Sequence, residues 1–166
     1  MTLFGRWWRG SDEDAAHESM PESFRGMLEG LQPRHARYLS AYAAVLARIA
    51  YSDREVTPDE AAVMNRIIQD VDDVPSVDAE LIVAIAVASA RQIGEEEGRE
   101  AAELIGRFGT RAQRLGLLRC LFAVAAAHNG VSAQEFAKIE QIGRELGLGP
   151  GDLQTCRVDL ERRSAR

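Results

Sequence analysis

Two stretches of the chain decide its fold: SDREVTPDE at residues 52–60 and AHNGVSAQE at residues 127–135. Each stretch lies between two apolar segments with helical spacing. Thr57 and Glu60 have the spacing of a capping box, in which each side chain accepts a hydrogen bond from the other residue's backbone N–H. Ser132 and Glu135 repeat this spacing in the second stretch. The repeat predicts an internal duplication of a helix–loop–helix unit.

Helical spacing of apolar residues continues along most of the chain after Pro33, and no segment alternates as a strand does. Residues 81–90 are apolar on every side apart from Ser89, which predicts a central, fully buried helix. The charged segment 94–109 is predicted to form an amphipathic helix with four residues facing the core: Ala101, Leu104, Ile105 and Phe108. We therefore predict an all-α bundle of about seven or eight helices with two pseudo-symmetric helix–loop–helix units.

Length and composition limit the class of protein. The 166 residues suffice for one domain with a buried core, and the net charge of −6 argues against nucleic-acid binding, which needs a basic face. Two isolated cysteines, Cys120 and Cys156, form neither a disulfide framework nor a zinc-binding spacing, so a reducing cytoplasm is expected. Residues 1–20 lack the apolar core of a signal peptide, and no apolar run reaches the ~18–20 residues that span a bilayer.

The N-terminal residues have a composition of their own. We predict that residues 1–20 form a flexible segment and residues 21–166 a single helical domain. Residues 3–10 contain both tryptophans of the chain between two arginines, and this set is the candidate interaction segment: Arg6, Trp7, Trp8 and Arg9. One interpretation is a short anchor at a membrane surface, with tryptophans among the headgroups and arginines facing anionic lipid. The alternatives are a disordered tail, or aromatic side chains that fold back onto the domain.

The two stretches and their flanking helices resemble the tellurite-resistance TerB-like family, including the domain of that type in a membrane-anchored J-domain co-chaperone. The family pattern is roughly an Ala-Asp-Gly-x-Val/Ile-Ser/Thr-x-x-Glu loop, followed by a helix that closes in Leu-Gly-Leu, as residues 146–148 do. The resemblance covers about residues 35–155. Arg54 departs from the pattern where the family favours glycine, and His128 and Asn129 stand where it favours aspartate and glycine.

The resemblance implies an all-helical pseudo-symmetric fold, a stress-related role and metal binding by acidic loop residues. The first stretch contains four carboxylates, from Asp53, Glu55, Asp59 and Glu60. Hard cations such as calcium prefer several converging oxygen ligands, although Pro58 occupies the position where an EF-hand loop needs glycine. Asp59 and Glu60 also have a structural explanation at the start of a helix, so Asp53 and Glu55 are the preferred ligands of a divalent cation.

Three hypotheses of function follow. The first is a non-enzymatic TerB-like module that binds other proteins in a bacterial stress response, without a cofactor, in the cytoplasm or at the inner membrane. The second is a metal-binding or metal-sensing module that uses the acidic loop. The third is an enzyme that uses His128 with Glu135, which is disfavoured because no serine or cysteine motif supplies a nucleophile beside them.

The metal-binding hypothesis predicts saturable heat when calcium or zinc is titrated into the chain in a calorimeter. Substitution of the two preferred ligands, Asp53→Asn with Glu55→Gln, should abolish that heat because it removes two anionic oxygen donors. Absence of saturable heat with the unaltered chain, or no loss in the double variant, would contradict the hypothesis.

Overall fold

The computed structural model of the chain describes residues 26–50, 56–127 and 130–166. In these ranges the chain forms seven long helices, preceded by a helical turn at residues 26–28, and no strand. The predicted all-α architecture is therefore confirmed. The helices are α1 (Pro33–Ala50), α2 (Pro58–Asp72), α3 (Ser76–Ser89), α4 (Glu95–Phe108), α5 (Arg111–Ala126), α6 (Ala133–Glu145) and α7 (Pro150–Ser164).

Helix α1 is the centre of the bundle. Every residue from Leu39 to Ile49 is buried, and α1 packs against α3, α4, α5 and α6. The prediction that residues 81–90 form the central helix is wrong. Those residues belong mainly to α3, which packs against α1 and α2 and leaves Val87 40% exposed. An apolar composition does not reveal how many helices pack around a segment, because alanine and valine are tolerated at the surface as well as in the core.

The two helix–loop–helix units start their second helices in the same way. Thr57 Oγ1 accepts from the Glu60 backbone N–H at 3.2 Å, and the Thr57 N–H donates to Glu60 Oε2 at 2.8 Å. Ser132 and Glu135 make the equivalent pair of hydrogen bonds at 3.1 and 2.8 Å. Both capping boxes predicted from the sequence are thereby confirmed. The units also pack on each other, because α5 contacts α1 and α2, and α6 contacts α1.

Other helix ends follow equally local rules. Thr110 and Gln113 form a third capping box at the start of α5, which sequence reasoning missed although glutamine three residues after threonine is its usual signal. At the end of α6, Gly147 has φ +73°. Its N–H donates to the Arg144 carbonyl, and the Leu148 N–H donates to the Gly143 carbonyl, each at 2.9 Å. These two bonds define a Schellman motif and confirm the predicted C-terminus of this helix.

The prediction that Phe108, at the end of α4, faces the core is also wrong. Its side chain is 71% exposed, whereas Ala101 and Ile105 on the same helix are buried as predicted. Phe108 is the last residue of α4, and the backbone is extended at Gly109, the next residue. Helical spacing therefore predicts the direction of a side chain well inside a helix and less well at its last residue.

A buried arginine joins three helices. The Arg48 side chain in α1 is only 3% exposed, and it contacts Glu145 of α6 through both terminal nitrogens and Glu95 of α4 at 3.2 Å. Lys138 of α6 also pairs with Glu95. A Cβ at Gly98 would lie 2.5 Å from Arg48 Cδ, so the glycine makes room for the arginine stem between α1 and α4. Charge and packing together thus fix the position of α4 and α6 on α1.

We predict that Arg48→Ala lowers the free energy of unfolding by about 3–5 kcal/mol, because Glu145, whose side chain is 10% exposed, loses its buried cationic partner. Urea unfolding followed by circular dichroism measures the change. The matched control is Arg99→Ala, which removes an exposed i,i+4 pair with Glu103 and should cost about 0.5 kcal/mol or less. Equal losses in the two variants would contradict a structural role for the buried pair.

Candidate functional site

The first acidic loop is only partly within the described residues. Asp53 and Glu55, the preferred metal ligands, lie outside them. Asp59 is exposed in the first turn of α2, and Glu60 Oε2 accepts from both the backbone N–H and the hydroxyl of Thr57. Among the residues that the structure describes, no three histidine, cysteine, aspartate or glutamate side chains are grouped to hold a metal ion. Metal binding by Asp53 and Glu55 stays a prediction.

The second loop and the N-terminal segment also lie largely outside the described ranges. His128 and Asn129 are not among the described residues, whereas the carboxylate of Glu135 accepts the Ser132 N–H as part of its capping box. The four residues of the predicted interaction segment lie before residue 26 and outside the described part as well: Arg6, Trp7, Trp8 and Arg9. No helix within 26–50, 56–127 and 130–166 is long and apolar enough to cross a bilayer.

A buried polar cluster joins α1, α2 and α5. The Tyr42 hydroxyl, which is fully buried, donates to Asp72 Oδ2 at 2.9 Å. Burial raises the pKa of Asp72 to about 6, while the hydrogen bond from Tyr42 and the charge of Arg119 act in the opposite direction. Burial also raises the pKa of the Cys120 thiol, beside Tyr42, to about 12. Cys120 is therefore a protonated core residue, without the thiolate character that a nucleophile needs.

Asp72 reaches the surface of an open cleft with a volume of about 470 Å³. Helices α1, α2, α3 and α5 and the turn after α2 form the walls of this cleft. In that turn Asp73 adopts a left-handed conformation with φ 54°, and Pro75 leads directly into α3. The lining residues are His35, Tyr38, Leu39, Val71, Asp72, Asp73, Val74, Pro75, Asp78, Ala112, Gln113 and Arg119.

Acidic groups outnumber basic groups in the lining of the cleft. Three carboxylates, of Asp72, Asp73 and Asp78, face one guanidinium, that of Arg119. Arg119 Nε is 3.3 Å from a carboxylate outside the lining, that of Asp159 in α7, so its charge is partly neutralised elsewhere. His35 Nε2 lies 3.0 Å from Asp78 Oδ2. The cleft is therefore suited to hold cationic groups and donors of hydrogen bonds.

Comparison with protein families identifies the chain. The family described as "Tellurite resistance protein TerB" matches residues 39–158, which run from α1 into α7 and include both helix–loop–helix units. The chain belongs to the TerB family. The resemblance inferred from the two capping stretches is thereby confirmed. Searches of curated proteins and of solved structures returned no match.

The TerB domain places in its cleft residues that sequence reasoning did not select. One available signal was Gly116, inside the apolar helix α5, because an interior glycine costs about 0.5–1 kcal/mol relative to alanine and often marks a close approach. A Cβ at Gly116 would lie 1.5 Å from Asp72 Oδ1, so the glycine admits the aspartate against the helix backbone. No sequence pattern predicts the hydrogen bond between Tyr42 and Asp72, because it depends on how α1 and α2 pack.

We predict that the stability of the TerB domain depends on pH through Asp72. The folded protein keeps this proton up to about pH 6, whereas an ordinary aspartate releases it near 3.8. Because the folded state binds this proton more tightly than the unfolded state, protonation of Asp72 adds to the free energy of unfolding. This contribution is fully present below the ordinary aspartate pKa and is lost as the pH rises through the folded-state pKa. Asp72→Asn does not titrate and keeps an acceptor for Tyr42. It should therefore gain stability relative to wild type, by on the order of 1 kcal/mol from about pH 4 to pH 7, after allowance for solvent screening of a half-buried carboxylate.

Urea unfolding at a series of pH values measures this difference between wild type and Asp72→Asn. The matched control is Asp70→Asn, which removes an exposed carboxylate from the same helix. A difference between Asp72→Asn and wild type that stays constant across the range would show that Asp72 does not have a raised pKa.

Proposed function

We propose that this TerB domain is a non-enzymatic module that acts by binding other proteins in a bacterial stress response. The observation that carries the proposal is the location of the chemically reactive groups within the matched region. Tyr42 and Cys120 are fully buried, and Tyr42 joins α1 to α2 through its hydrogen bond to Asp72. A catalytic nucleophile needs contact with substrate and an activating base, whereas these groups hold helices together.

Two further observations support the proposal. Glu60 and Glu135, each the third residue of its helix, are engaged in capping boxes and so have a structural function. The family description, which names tellurite resistance, supports a role in stress.

The contact with a partner is assigned to residues 3–10. Tryptophan and arginine are the residue types most enriched among those that dominate binding energy at protein interfaces, and this segment contains Arg6, Trp7, Trp8 and Arg9 together. The same residue types favour the headgroup region of a bilayer, so the proposal includes a peripheral position at the inner membrane for the complex. No nucleic acid is expected as a partner, given the net charge of −6.

We predict that a specific partner co-purifies with the full chain from its native cells after cross-linking, and that Trp7→Ala with Trp8→Ala reduces its recovery several-fold, because two interface anchors are lost. Quantitative mass spectrometry of the recovered proteins provides the measurement. The matched control is Phe108→Ala, which removes an exposed aromatic side chain from the folded domain and should leave recovery unchanged.

Two outcomes would count against this proposal in different ways. If the tryptophan variant recovers as much partner as the wild-type chain, residues 3–10 are not the contact. If the wild-type chain recovers no partner above background, the assignment as a protein-binding module fails.

A further inference from the structure

The acidic cleft lies at the end of α1 where the N-terminal part of the chain joins the fold. His35 and Tyr38, in the first two turns of α1, line the cleft. The buried side chain of Leu28 attaches the preceding turn to the domain, and a hydrogen bond of 3.2 Å from the Leu31 N–H to the Leu28 carbonyl closes that turn. The 15 residues 11–25 can span up to about 50 Å when extended, which is more than enough to bring residues 3–10 to the cleft.

The chemistry of residues 3–10 complements that of the cleft. Arg6 and Arg9 supply two guanidinium groups, which form the strongest charge-assisted hydrogen bonds with carboxylates. The cleft presents three carboxylates: that of Asp73 is exposed, whereas Asp72 accepts from Tyr42 and Asp78 lies 3.0 Å from His35 Nε2. The arginine of the cleft is paired with Asp159 outside the lining. Its volume of about 470 Å³ lies in the ~300–1,000 Å³ range of pockets that hold small ligands, and Tyr38 supplies an aromatic wall.

We propose that residues 3–10 dock in this cleft, with Arg6 and Arg9 paired to the carboxylates of Asp73 and Asp78 and a tryptophan side chain packed beside Tyr38. A tethered segment binds at an effective concentration in the millimolar range for short linkers, so modest contacts suffice to hold it. The docked state covers that tryptophan until a competing surface displaces the segment. This contact lies within one chain, and it stands or falls separately from the proposed binding of other proteins.

The chain offers a direct probe of this contact. Its only two tryptophans, Trp7 and Trp8, are both in the docking segment, so tryptophan fluorescence of the full chain reports on that segment alone. Docking predicts emission at shorter wavelength than in the urea-unfolded chain, together with shielding from acrylamide. Asp73→Asn with Asp78→Asn should shift emission towards the unfolded value and increase acrylamide quenching, because two partners of the arginines lose their charge.

The matched control is Asp70→Asn with Glu96→Gln, which removes the same number of charges from exposed positions outside the cleft and should leave the emission unchanged. A second variant, Arg6→Ala with Arg9→Ala, changes residues outside the described helices and tests the same pairs from the side of the segment. It should release the tryptophans as the cleft variant does, and circular dichroism should show the helical domain unchanged.

Three results would overturn the proposal. The first is wild-type emission and quenching that already equal those of the unfolded chain. The second is emission that stays unchanged in both the cleft variant and the arginine variant. The third is shielding that disappears on dilution of the protein, because a segment docked in the cleft of its own chain is insensitive to concentration.

Discussion

Residues 39–49 of α1 are buried on every side, and their burial constrains the elements packed around them. A helix enclosed in this way has no water to solvate its polar side chains, so each of them needs a partner inside the protein. Ser40 donates to the Ala36 carbonyl at 2.9 Å, Tyr42 donates to Asp72, and Arg48 pairs with Glu95 and Glu145. The three side chains bind partners in different places. Ser40 bonds within α1, Tyr42 connects α1 to α2, and Arg48 connects α1 to α4 and α6.

The same constraint places the candidate site. Asp72 is held at its position by a hydroxyl from the core on one side and by the backbone of α5 at Gly116 on the other. It ends α2 immediately before the left-handed residue Asp73, so the turn that follows opens at the surface beside α3. The cleft therefore combines a rigid wall, fixed by contacts with the core, with carboxylates in a turn that reaches solvent.

The duplicated unit explains both the regularity of the fold and the asymmetry of its surface. The two copies keep the capping box, since it satisfies backbone N–H groups that any helix start leaves without partners. They differ where the second helix ends. In the first copy the helix ends at Asp73 and an acidic turn, whereas in the second it ends at Gly147 in a Schellman motif. The acidic turn of the first copy therefore lines the cleft together with residues of α3 and α5.

The sequence by itself determined the helical class, the membership of the TerB family, and the helix ends at Thr57, Ser132 and Gly147. Those features depend on residues at most about five positions apart, whose geometry the helical backbone dictates. It did not indicate the cleft, the central position of α1 or the exposure of Phe108. The residues that decide the cleft and the position of α1 are distant in the chain: Tyr42 and Asp72 are 30 residues apart, and Arg48 and Glu145 are 97 apart. Only the tertiary packing of the helices brings such groups together, because periodicity tells which face of a helix is apolar and not which helix covers it.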